Sequence, residues 1–194
     1  IYSTYNNYGW NPYFMMGVGA LVSYNTRDNF FYPEKGIFAK LSYLHYPKWL
    51  GSSYDVSATG FEFRHYIPVG KGHVIAYQLL ADAVLGAEIP FQMLPTVGGR
   101  DKLRGFREGM YRDNLRFMLQ VEYRIPIYKR LKGTVFCSVG DVLSASAPHI
   151  DKLKVGYGIG LRYRLNDAKV HLRVDYARTN YNEGAPYITA SEAF

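Results

Sequence analysis

The side chains best suited to chemistry in this sequence are charged groups that recur at every second position. His171, Arg173 and Asp175 alternate with Leu172 and Val174. In a β-strand the three polar residues would share one face, where a histidine beside a carboxylate can transfer protons. A polar lining in which arginines neutralise acids is the simpler interpretation of the same pattern, and it is the one we adopt.

The sequence offers no set of metal ligands and no activated nucleophile. Its five histidines are dispersed and its one cysteine, Cys137, has no partner, whereas zinc sites combine several Cys and His side chains at close spacing. No serine lies in a Gly-x-Ser-x-Gly setting, so the sequence does not indicate a serine lipase. We therefore expect no catalytic residue, no metal and no cofactor.

Alternation with a period of two dominates the chain and predicts β-strands. Between Leu115 and Ile125 the odd positions are aliphatic or aromatic, and the even positions run from Arg116 through Glu122 to Arg124. A strand separates these two sets onto opposite faces, whereas a helix would mix them. Charged positions such as Glu122 would then line one side of a sheet.

The same pattern predicts about nine strands in a single domain. We expect these strands at 13–26, 36–47, 53–67, 72–88, 114–127, 132–143, 154–166, 169–179 and 186–194. The third is the weakest, because its apolar parity slips near Gly60, and a β-bulge would explain the slip. If the chain is a minimal barrel of eight strands, the stretch 1–12 or one weak strand would be peripheral to the sheet.

The apolar face of these strands is expected to contact lipid. The predicted strands exceed the usual length of about five or six residues and reach the roughly 9–11 residues that a tilted strand needs to span a membrane. Short connections alternate with long ones such as 87–114. The sequence therefore predicts an all-β fold, a transmembrane antiparallel up-and-down β-barrel of the outer-membrane type with about eight or nine strands. A soluble sandwich or lipocalin-like barrel is the alternative.

The net charge of +7 arises from Lys and Arg residues that are spread along the strands. A nucleic-acid-binding surface would require those cations to cluster in one patch or stripe. We therefore expect outer-membrane lipid, and not nucleic acid, as a partner of this chain.

The longest connection carries a motif that narrows the family. It contains Gly98 and Gly99, followed by Arg104, Gly105 and Phe106. Other segments agree in order and spacing: Arg27-Asp28-Asn29, Tyr32-Pro33-Glu34-Lys35-Gly36, Gln120 to Pro126, Val135 to Val142, and Phe194. In these segments the sequence resembles the outer-membrane protein 85 superfamily of BamA-, TamA- and FhaC-type pores, also called the bacterial surface antigen family.

The resemblance implies that the long loop folds toward the barrel lumen and holds Arg104 against groups on the following strands. Glu122 is the implied carboxylate partner, with Phe136, Ser138 and Gly140 as further lumen partners. Ser138 stands where the family usually has an aspartate, and the nearby Asp141 faces the other way by parity. The resemblance also implies that Phe194 is a C-terminal assembly signal.

By resemblance, the function is insertion or secretion of client polypeptides at the bacterial cell outer membrane, without enzymatic activity. Three alternatives remain: a membrane anchor for an upstream patatin-like lipase, a small structural barrel without transport activity, and a soluble basic binding module. The domain at 1–194 is expected to be the C-terminal half of a larger barrel, a minimal barrel, or one member of a pair joined through open strand edges. The sequence contains no periplasmic transport-associated domain.

Overall fold

The computed structural model describes residues 8–150, 152–190 and 192–194. Eleven strands form in this part of the chain: β1 Val18–Asn25, β2 Gly36–Tyr46, β3 Val56–Pro68, β4 Val74–Gly86, β5 Thr96–Val97, β6 Tyr111–Arg112, β7 Leu115–Tyr128, β8 Leu131–Leu143, β9 Lys154–Arg164, β10 His171–Thr179 and β11 Gly184–Thr189. Two single-turn 3-10 helices, Lys48–Leu50 and Phe91–Met93, lie in the connections. No helix in the described ranges is long and apolar enough to cross a membrane.

Nine of the strands form one antiparallel sheet in which each strand pairs with its neighbours along the chain, in the order β1-β2-β3-β4-β7-β8-β9-β10-β11. The two-residue strands β5 and β6 pair with each other inside the long connection between β4 and β7. This up-and-down arrangement is the wall of a barrel, and it confirms the predicted fold class.

The two faces of the sheet have the polarity of a membrane barrel. Along β10, buried and exposed residues alternate without interruption. The inward side chains of Arg162 and Arg173 are 0% exposed, whereas the outward Val22 and Ile159 are 70% and 64% exposed. An apolar surface that faces outward around a buried charged interior is suited to hydrocarbon and not to water.

The sheet curves until residues near its two ends come into contact. The connection between β1 and β2 reaches the far wall, where Lys132 Nζ on β8 lies 2.7 Å from Glu34 Oε1. Asn29 Nδ2 lies 3.3 Å from the carbonyl oxygen of Ala168, between β9 and β10. Among the described residues no ladder joins β1 to β11, so the two edge strands are not paired with each other.

Three sequence-based expectations about the strands are wrong. Gly60 pairs in unbroken register with both Ser42 and Asp82. A β-bulge therefore does not cause the change in apolar parity near this residue. The last strand ends at Thr189 and does not continue to 194, and the first begins at Val18 and not at 13. The expectation for 1–12 falls largely on residues 1–7, which lie outside the described part.

Asp141 also departs from its expected position. Alternation along β8 assigns this side chain to the lipid face, yet it is only 3% exposed and forms an ion pair with Lys154. Strand pairing between β8 and β9 ends one residue earlier, at Gly140. Beyond that point Asp141 has a ladder partner only on the β7 side, Phe117, and its carboxylate turns toward Lys154.

Candidate functional site in the barrel lumen

The connection 87–114 folds back into the lumen because glycines allow a tight reversal at its base. Gly98 and Gly99 have φ angles of 107° and 104°, a left-handed region that is readily accessible only to glycine. A Cβ atom on Gly98 would lie 2.1 Å from the carbonyl oxygen of Arg107. The amide of Gly99 donates to the carbonyl oxygen of Phe106 at 2.9 Å, which closes the segment around Arg104.

Arg104 is held between carboxylates from two different strands. Its Nη2 lies 2.5 Å from Glu122 Oε1 on β7, and its Nη1 lies 2.7 Å from Asp175 Oδ2 on β10. Its Cζ lies 3.5 Å from the ring centroid of Phe136 on β8. All three charged side chains are 0% exposed, so their charges must be compensated within the protein.

Further charges extend this contact into a network. Glu122 also accepts from Arg124, at 3.2 Å, and Asp175 also pairs with Arg162. Within the described residues this network joins four fully buried arginines to four carboxylates: Arg104, Arg124, Arg162 and Arg173 to Asp101, Glu122, Asp175 and Glu192. Equal numbers of opposite charges make the burial of so many guanidinium groups tolerable.

The residues after Arg104 fix the loop to the other wall strands. Gly105 has a φ of 106°, and its amide donates to the hydroxyl of Tyr187 on β11 at 3.0 Å. A Cβ at this position would lie 2.7 Å from Thr179 Cγ2. Phe106 is 1% exposed and packs with Leu80, Leu103, Val97 and Met118 in a small apolar cluster. Every strand from β7 onward in the sheet therefore contacts the loop or its charge partners.

Comparison with known proteins identifies this architecture. The model of the Omp85 superfamily domain matches residues 3–187. The chain belongs to the Omp85 superfamily. Among solved structures, BamA from Haemophilus ducreyi lacking POTRA domains 1–3 has a TM-score of 0.74 and 20% identity, covering 87% of this chain and 41% of that one.

A curated relative of this Omp85 chain comes from a plant. Outer envelope protein 39, chloroplastic, from Arabidopsis thaliana is 29% identical over 117 residues, covering 56% of this chain and 32% of that protein. The chain thus spans about a third of the relative and two-fifths of the solved structure. An outer membrane is the location that these similarities support, and a bacterial one stays a prediction because this relative is chloroplastic.

The other residues that the family resemblance singles out are near the loop but not all touch Arg104. Ser138 donates to the carbonyl oxygen of Gly156 at 3.1 Å, and the second carboxylate beside Arg104 is Asp175 instead. A Cβ on Gly156 would lie 2.1 Å from the carbonyl oxygen of Arg104. Gly140 lies close to β7, since a Cβ there would lie 2.6 Å from the carbonyl oxygen of Phe117. Gly156 thus packs against the loop, whereas Gly140 packs against its neighbouring strand.

Sequence reasoning missed a second segment in the Omp85 lumen, the connection between β1 and β2. Tyr32 is 0% exposed, and its ring centroid lies 4.8 Å from Cζ of Arg124. Arg124 Nη1 donates to the carbonyl oxygen of Pro33 at 3.0 Å. The family resemblance had singled out Tyr32-Pro33-Glu34-Lys35-Gly36 in this connection, but nothing in the pattern indicated that it enters the lumen.

The same arginine also binds the end of the chain. Arg124 Nη2 lies 3.3 Å from the main-chain oxygen of Phe194, whose side chain is 4% exposed and stacks on Tyr66 with ring centroids 6.4 Å apart. Phe194 is therefore an interior residue here, and its role in assembly stays a prediction. Arg124 joins the β1–β2 connection and the tail to Glu122, the carboxylate that binds Arg104 of the loop.

Two ion pairs secure the β1–β2 connection at the end of the barrel where the short turns lie. Glu34 Oε1 and Oε2 lie 2.7 Å and 2.6 Å from the ammonium groups of Lys132 and Lys169. Partial burial alone would raise the pKa of the Glu34 carboxyl, but hydrogen bonds from both lysines hold this pKa below its usual range. Its charged form therefore stabilises the docked position.

Proposed function

We propose that this chain is part of an Omp85 pore that inserts or translocates polypeptides at the bacterial cell outer membrane. The observation that carries the proposal is the locked loop, in which Arg104 is bound between Glu122 and Asp175 at 2.5 and 2.7 Å. A simple passive pore needs no segment fixed into its lumen by a fully buried charge network. Membership in the Omp85 superfamily makes client polypeptides the proposed substrate, and the proposal assigns no catalytic residue or cofactor.

The domain organisation is also part of this proposal. Strands β1 and β11 are edges of the described sheet, and an unpaired edge inside a bilayer leaves backbone N–H and C=O groups without partners. Additional strands of a larger barrel, or a second copy of the chain, would satisfy these groups. Since the chain matches 41% of the length of the BamA structure, we favour the larger barrel, with residues 1–194 as its C-terminal part.

The role of the loop can be tested in the full-length protein folded into vesicles. Arg104→Ala removes the guanidinium that the network surrounds, and Arg107→Ala is a matched control, because Arg107 is exposed and lies three positions further along the same loop. We expect Arg104→Ala to slow insertion of an unfolded client barrel by at least about tenfold, equivalent to about 1.4 kcal/mol, while Arg107→Ala inserts at the wild-type rate.

Two results would contradict the proposal. Normal folding and normal client insertion by Arg104→Ala would show that the locked loop does not serve transport. Conductance in planar bilayers that is independent of any client, together with no insertion by the wild-type protein, would favour a small structural barrel.

A further inference from the structure

Lysines occupy strained backbone positions in three short turns at one end of the barrel. Lys71, Lys129 and Lys169 have φ angles of 50°, 45° and 64°, in the turns after β3, β7 and β9. Glycine or asparagine adopts this left-handed conformation most readily, and other side chains cost free energy there. A residue type that opposes the local backbone preference, repeated in three turns, indicates that the side chain itself has a use.

Two of these lysines have no carboxylate to neutralise them in the described parts of the chain. Lys169 pairs with Glu34, but Lys71 and Lys129 are exposed and form no ion pair within 4.0 Å there. Lys35 and Arg130 add two more exposed cations at this end. Exposed acids at the same end are Asp28, which accepts from the amides of Glu34 and Lys35, and Asp167. The turns therefore present a surplus of positive charge.

Exposed apolar side chains lie next to these cations. Phe30 in the β1–β2 connection is 72% exposed, and Ile127 and Tyr128 beside Lys129 are 54% and 66% exposed. The Lys129 ammonium lies 5.0 Å from the ring centroid of Tyr128. Aromatic rings adjoining cations at the ends of spanning strands are suited to a membrane–water interface, where rings lie among headgroups and ammonium groups reach toward phosphates.

We propose that the short-turn end of this barrel binds the phosphate headgroups of anionic phospholipids in the adjoining leaflet, through Lys71 and Lys129 with support from Lys35 and Arg130. The turns directly follow lipid-facing strands, which places their cations at headgroup depth. Each basic residue near an anionic membrane surface contributes measurably to its attraction. Both lysine side chains are exposed, and the backbone at both positions adopts a costly left-handed conformation.

The strained backbone makes a sharp test possible. Asparagine adopts the left-handed region more readily than lysine, so Lys71→Asn/Lys129→Asn should fold at least as well as the wild-type protein while losing two charges. Lys48→Asn/Lys152→Asn is the matched control, since both of these exposed lysines lie at the opposite end and the change in net charge is the same. Heat-modifiable mobility on gels would verify that each folded barrel is intact.

The protein is folded into vesicles that contain phosphatidylglycerol and phosphatidylcholine and is then extracted. Native mass spectrometry counts the molecules of each lipid that stay bound, and the ratio of phosphatidylglycerol to phosphatidylcholine is the measured preference. We expect the preference for phosphatidylglycerol to fall about fivefold for each turn lysine removed, and to be unchanged in the control. An equal preference in the turn variant and the wild type would overturn the proposal, as would an equal loss in the control. Displacement of the lipid by inorganic phosphate at constant ionic strength would overturn the assignment to a lipid headgroup.

Discussion

The charge balance around Arg104 leads to a quantitative expectation for paired substitutions. Glu122→Gln would leave four buried arginines facing three carboxylates, and Arg104→Met would leave three arginines facing four. Removing one partner of a buried ion pair costs about 3–5 kcal/mol, because the other charge remains without compensation. Each group that loses one partner keeps another. After Glu122→Gln, Arg104 still contacts Asp175; after Arg104→Met, Glu122 still contacts Arg124 and Asp175 still contacts Arg162. These remaining contacts favour the lower end of that range.

The double variant Arg104→Met/Glu122→Gln restores the balance at three charges of each sign. It should therefore be destabilised by about 3 kcal/mol, compared with a sum of about 6 kcal/mol for the two single variants. The free energy of unfolding would be measured by urea titration of the barrel in vesicles. Lys48→Met/Glu88→Gln is the control, because that pair is 3.7 Å apart with side chains 59% and 42% exposed and should show coupling below about 1 kcal/mol.

Simple addition of the effects of the two buried substitutions would contradict this expectation. Additivity within about 0.5 kcal/mol would mean that Arg104 and Glu122 do not sense each other's charge. The stabilising effect of the loop would then come from its apolar contacts and from the pair of Arg104 with Asp175.

Three further outcomes are expected. Gly105→Ala should destabilise the barrel by about 1–3 kcal/mol, because its φ of 106° and the nearby Thr179 both oppose a side chain; urea unfolding measures this, and a neutral effect would contradict the close docking. Phe106→Ala should cost about 3–5 kcal/mol in the same assay, whereas Phe30→Ala, at a 72% exposed ring, should cost little. The pKa of Glu34 is lowered in the folded state, so its stabilising contribution is present above the unfolded pKa and is lost as pH falls through the folded value. Glu34→Gln should therefore reduce the loss of stability in acid. Equal acid sensitivity of both proteins would refute this expectation.

Local patterns predicted the wall of the barrel well, since side-chain alternation is a property of each strand by itself. The faces of β7 follow its sequence from Leu115 to Arg124. The contact of Glu122 with Arg104 was expected only from the family resemblance. Asp175 was predicted only as a lining residue, because its contact with Arg104 joins positions 71 residues apart. No local signal specifies how a loop and a distant strand meet across a lumen.

The segments that leave the sheet were predicted least well, for a related reason. Phe194 continues the alternation of the last strand, yet the chain leaves the ladder after Thr189 and the ring packs on Tyr66. The tail gains apolar burial and a hydrogen bond from Arg124 in the interior. An edge position in the sheet would provide neither, and strand propensity alone does not contain that comparison.

These contacts make Arg124 the junction of the lumen. One guanidinium group contacts Glu122 Oε2 at 3.2 Å, Pro33 O at 3.0 Å and Phe194 O at 3.3 Å, while the other oxygen of the same carboxylate binds Arg104. A shift of the loop that withdrew Arg104 would leave Glu122 free to move toward Arg124, and the contacts to the β1–β2 connection and the tail would have to adjust. The long loop at one end of the barrel and the short connection at the other are therefore physically linked through two arginines and one shared carboxylate.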